Sequence, residues 1–72
     1  MVRKRVDIDK IKRMRKSSRI TLEEMAKHLG YKSPNGYYYL ERGRSKFTAE
    51  TLAEVADILG APMEDLFLDT RQ

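Results

Sequence analysis

On a helix advancing 100° per residue, Asn35, Tyr38, Tyr39 and Arg42 share one face, while Tyr37, Leu40 and Glu41 share the opposite one. The first set presents an amide, two phenols and a guanidinium. Such groups suit base-pair edges and the phosphates beside them. An amide can bond adenine through two contacts, a guanidinium can meet guanine or phosphate, and a phenol can bond phosphate or touch a thymine methyl. Arg44, Ser45 and Lys46 come directly afterwards in the sequence, adding two cations and a hydroxyl in reach of a backbone.

No comparable set exists for catalysis. The sequence has one histidine, His28, and no cysteine, which leaves no cluster to hold a metal or activate a nucleophile. Glu23 and Glu24, like Glu64 and Asp65, are chain neighbours at helix starts, where carboxylates favour the helix dipole and make poor acid–base pairs. Neither an enzyme nor a bound metal or cofactor is therefore expected. No apolar run approaches the roughly 18 residues of a membrane span, and residues 1–9 lack the apolar stretch of a signal peptide. The expectation is a soluble cytoplasmic protein with no membrane association.

The formal charge of +4 hides a gradient. Residues 1–19 carry nine Lys/Arg against two Asp, a net of +7, and residues 20–47 carry a net of +2. Residues 48–72 have Arg71 against six carboxylates, a net of −5. One end should meet a polyanion and the other should avoid it.

The elements that must position the outward set read as five short helices in one domain. Ile8, Ile11 and Met14 give one apolar stripe to a first helix over about 7–17, with Arg15 beside it. Thr21-Leu-Glu-Glu24 reads as a capping box opening a second helix, 22–29, which Gly30 closes. Ser33 as N-cap and Pro34 at the first helical position start a third, ending near Arg42 and Gly43. Thr48 caps a fourth, with Leu52, Val55, Ala56 and Leu59 at helical spacing before Gly60. Pro62 opens a short fifth carrying Met63, Leu66 and Phe67. Val2–Val6 could be extended. The reading is all-α, with a basic arm at 1–7, a domain at 8–68 and a tail at 69–72. Gly36 disfavours its helix by roughly 1 kcal/mol relative to Ala, which suggests close approach of a neighbour, either a duplex or helix two.

Four stretches carry a family resemblance. They are Thr21-Leu-Glu-Glu-Met-Ala-Lys-His-Leu-Gly30, Tyr39-Leu-Glu-Arg-Gly-Arg44, and Glu50-Thr-Leu-Ala-Glu-Val-Ala-Asp-Ile-Leu-Gly60 followed by Met63-Glu-Asp-Leu-Phe67. Together they resemble the Cro/repressor-type, or XRE, helix-turn-helix family over about residues 8–67. The resemblance implies a compact five-helix, lambda-repressor-like domain and a sequence-specific DNA-binding transcriptional regulator, prokaryotic or phage, with repression as its output. Helix three would enter the major groove of double-stranded DNA. Asn35, Tyr38 and Tyr39 match base-reading positions. Ser33, Arg42, Arg44, Ser45 and Lys46 are the expected phosphate contacts, and Arg15 and Glu41 match an internal ion pair. Leu22 stands where the family usually has a polar residue near phosphate, and one extra residue lies between Gly30 and Glu41. A homodimer is expected at least on DNA, and its contact would be Leu66, Phe67 and Leu68, because one helix cannot turn three successive apolar residues inward. The alternative is an antitoxin-like or antirepressor-like module that uses the same fold to bind a protein partner.

Overall fold

The computed structural model describes residues 4–69, arranged as β1 (Lys4–Val6), α1 (Ile8–Ser17), α2 (Leu22–His28), α3 (Pro34–Glu41), α4 (Ala49–Leu59), a 3₁₀ turn (Met63–Leu66) and β2 (Phe67–Asp69). Residues 1–3 of the expected arm and 70–72 of the expected tail lie outside the described residues. The core is Ile11 of α1, Met25 and Ala26 of α2, Tyr37 and Leu40 of α3, Leu52, Val55 and Ala56 of α4, and Leu66. Each helix contributes the stripe its apolar spacing marks, so burial of those stripes against one another is the main drive to fold.

Local chemistry sets the helix ends. Asp7 caps α1 by accepting from the Lys10 amide at 3.1 Å. The chain leaves α1 through Arg19, which takes a left-handed φ of 59°. There the Ile20 amide donates to the Arg15 carbonyl at 3.1 Å and the Arg19 amide to the Lys16 carbonyl at 3.0 Å. A capping box opens α2, with the Glu24 amide donating to the Thr21 hydroxyl at 3.0 Å and the Thr21 amide donating to Glu24 Oε1 at 2.9 Å. Gly30, at φ 84°, closes α2 in the same way that Arg19 closes α1. Ser33 occupies the N-cap of α3 as expected, but its side chain makes no cap hydrogen bond.

The fifth helix is absent. Among the described residues there are four α-helices, and the chain from Met63 makes one 3₁₀ turn and then extends as β2. β2 pairs antiparallel with β1, placing Val6 opposite Phe67 and Arg5 opposite Leu68. The Asp7 amide extends the pairing with a 2.8 Å bond to the Leu66 carbonyl. The physical reason is the run Leu66-Phe67-Leu68. Strand alternation sends Phe67 with Val6 against the core, leaves Leu68 outward beside Arg5, and gives the backbone a partner that a last, isolated helical turn would lack. Residues 4–6, read from sequence as part of a basic arm, are thereby one half of a terminal ribbon.

The capping box makes a direct test. Thr21→Ala should cost about 1 kcal/mol in a urea melt at pH 7. Accepting the Thr21 amide holds the Glu24 carboxyl below its ordinary value of 4.5, with the Thr21 hydroxyl bond reinforcing the shift. The stabilisation tied to that lowered value is therefore present above pH 4.5 and disappears as the pH falls through the folded-state value. A Glu24→Gln variant should lose stability relative to wild type at neutral pH, and the gap should narrow in acid.

Candidate nucleic-acid interface

α2 and α3 pack directly on each other across the short turn Leu29–Ser33, and α3 is locked to α1 behind it. The lock is Arg15. Its Nε donates to Glu41 Oε2 at 2.6 Å, its Nη2 to Glu41 Oε1 at 3.2 Å, and its Nη1 to the Ile20 carbonyl at 2.7 Å. The residues are 6% and 8% exposed, so this is a buried, bidentate pair rather than a surface contact. Tyr37 is fully buried on the same side of α3, and no group meets hydrogen-bond geometry with its hydroxyl. Burial, reinforced by the nearby Glu41 carboxylate, pushes its ionisation well above the ordinary phenol range, so the ring stays neutral.

With Tyr37, Leu40 and Glu41 turned inward, the opposite face of α3 is free. Asn35 is exposed at the second position of the helix, and Tyr39 is 41% exposed one turn later. Tyr38 is half-buried, less outward than its spacing suggests, because Arg42 covers it. Arg42 Nη1 donates to the Tyr38 hydroxyl at 2.9 Å, and the guanidinium carbon lies 5.4 Å from the ring centroid. A cation over a ring at an exposed site gains about 0.5–1 kcal/mol, enough to bias the arginine toward one position. The Tyr38 and Tyr39 rings are tilted by 49° at 6.0 Å.

The loop after α3 folds back on the same end of the helix. The Tyr39 carbonyl accepts from the Arg44 amide at 2.9 Å and from the Ser45 amide at 3.3 Å. As a result Tyr38, Tyr39, Arg42 and Arg44 line one cleft. Ser45 and Lys46 line a second with Arg5 of β1, while Ser33 is exposed at the other end of α3. The expected interface residues are thus spread from one end of α3 to the loop beyond its other end, all on exposed or half-exposed positions. Arg5 joins them through the ribbon, whose pairing between the two ends of the chain has no local sequence signal. His28 is exposed on α2, and no group of three or more His, Cys, Asp or Glu side chains that could hold a metal ion occurs among the described residues.

A family model described as helix-turn-helix matches residues 11–66. The chain belongs to the Cro/C1-type helix-turn-helix family. It is accordingly a DNA-binding domain of the XRE type, with α2 and α3 as the two helices of the motif. Comparison with curated proteins finds no match. No helix among the described residues is long and apolar enough to cross a membrane. Within this helix-turn-helix domain, the protein neighbour that Gly36 accommodates is the Tyr31 ring in the turn rather than α2 itself.

Removing one partner of the buried pair strands the other's charge. Glu41→Ala should therefore destabilise the helix-turn-helix domain by roughly 3–5 kcal/mol, far more than Glu50→Ala on the exposed face of α4. Chemical denaturation of the two variants beside wild type measures the difference.

Proposed function

We propose that this protein is a sequence-specific transcriptional repressor that lays α3 in the major groove of its operator. What carries the reading is the two-sided character of α3. Its inner face is committed to the core and to Arg15, and its outer face offers Asn35 and Tyr39 with the Tyr38–Arg42 pair beside them. Asn35 and Tyr39 are suited to base edges, and Tyr38 lies between them to contact a base or to hold Arg42. Ser33, Arg42, Arg44, Ser45 and Lys46 follow the phosphates, Arg5 of the ribbon extends the basic track, and neither set needs a metal or cofactor. Occupying the operator blocks transcription by itself, so repression needs no chemistry and the protein acts as no enzyme.

A homodimer on two half-sites about 34 Å apart would double this contact and give the operator two-fold symmetry. Leu66, fully buried, is committed to the protein's own core and Phe67 is half-buried, so of the three apolar residues Leu68, 50% exposed, is the one left for a partner. It lies on the outer face of the ribbon opposite Arg5. The second copy would therefore join along β2 rather than through a helix.

Selection of bound duplexes from a random DNA pool supplies the preferred site and shows whether it is palindromic. On that site Asn35→Ala should weaken binding by about 1–3 kcal/mol and leave random duplex nearly untouched. Lys46→Ala should instead weaken every duplex alike and lower the log-log salt slope by about one. Equal losses on both duplexes for Asn35→Ala would remove that residue from base reading. For the dimer, sedimentation of Leu68→Glu with and without DNA should show a shift toward monomer. Unchanged behaviour in both conditions places the interface elsewhere.

A further inference from the structure

Gly36 is the third residue of α3, and its backbone does not take the left-handed conformation that favours glycine. Its reason is steric. A Cβ at this position would lie 2.5 Å from Tyr31 Cδ1 and 2.9 Å from Tyr31 Cγ, whereas Gly30 and Gly60 face open space. Because Cγ is the atom by which the ring is attached, the ring cannot slip aside without a change of χ1 rotamer.

Tyr31 is itself held at its backbone. Its amide donates to the Ala26 carbonyl at 2.9 Å, and the preceding Gly30 amide donates to the Lys27 carbonyl at 3.1 Å. The ring therefore reaches from the end of α2 to the start of α3 across Lys32, Ser33 and Pro34. At that start Ser33 makes no side-chain cap bond. Next to the seat is Asn35, exposed on the outer face.

We propose that Tyr31 is a specificity-determining positioning residue, its ring seated on Gly36 so as to fix the start of α3 and hence where Asn35 meets a base. This rests on the DNA-reading role of α3. A turn left slack would let the amino end of α3 shift along or about its axis. A ring wedged on a bare Cα removes that slack. Tyr31 acts through Asn35, so its loss should degrade discrimination between duplexes and leave the electrostatic part of binding alone.

Two measurements test this. In thermal melts, Gly36→Ala should lower Tm in the wild-type background, where the new methyl meets the ring. In a Tyr31→Ala background it should raise Tm, because alanine is the better helix former and the obstacle is gone. An equal shift in both backgrounds eliminates the seat. In binding, carried out well below every variant's Tm, Tyr31→Ala and Gly36→Ala should each reduce the ratio of preferred-site to random-duplex affinity about tenfold, in the range of one misplaced base contact. Random-duplex affinity and the salt slope should stay as in wild type, and Tyr31→Phe should keep the full ratio. A Tyr31→Phe loss equal to that of Tyr31→Ala would assign the effect to the hydroxyl and overturn the seat as its source, as would equal weakening on random duplex. A wild-type protein that prefers no duplex defeats the DNA reading and the specificity role with it, while the melting cycle still reports on the seat.

Discussion

The Arg15 guanidinium is the interaction on which the arrangement depends. Its three nitrogens reach two places at once, the Glu41 carboxylate at the end of α3 and the Ile20 carbonyl in the connection to α2. A lysine in the same place would offer a point charge without the fork and could not bond the carboxylate in plane. Desolvating two charges offsets much of what they gain together, so the pair's cost appears when one partner is removed. Any packing of α3 that separates them leaves a buried charge unpaired, and that cost removes alternative docking angles. Arg15 thus decides which face of α3 is inward, and by elimination which is outward.

The outward face is then a consequence of the core rather than a separate construction. Tyr37 and Leu40 fill the interior, so Asn35 and Tyr39 are left on the exposed side. Charge is laid out in the same sense. The basic residues gather in the first part of the chain, and Glu50, Glu54, Asp57, Glu64 and Asp65 are exposed on α4 and the turn after it. The field of a duplex repels those carboxylates and attracts the basic residues.

How much of this could be read in the sequence follows from the range of each signal. Helices α1 to α4 were legible because a 3.6-residue apolar repeat and the caps at Thr21, Thr48 and Gly60 are local, and each end is decided by a few neighbouring residues. The terminal ribbon was not. Val6 and Phe67 lie at opposite ends of the chain, and three residues are too few for alternation to register, so Leu66 and Phe67 read as part of a short last helix. The outer face of α3 was legible as a set, yet the covering of Tyr38 by Arg42 depends on rotamers, which spacing does not encode. Gly36 showed that something must come close without showing what. Its neighbour is set by how Tyr31 leaves α2, and that is a fact of the turn rather than of the helix.

By the family resemblance alone, one extra residue lies between Gly30 and Glu41, and the fold limits where it can be taken up. Glu41 is fixed by Arg15, and the last turn of α2 is fixed by the bonds from Gly30 and Tyr31 to Lys27 and Ala26. With both ends pinned, an added residue cannot be absorbed by rotating α3, because rotation would drag Glu41 from its partner and Leu40 from the core. It must be taken up in the turn, before Pro34. Lengthening there shifts only the entrance to the helix, where Ser33 supplies no cap and glycine leaves room for a ring. The carboxyl end of α3 is therefore held by charge and the amino end by shape.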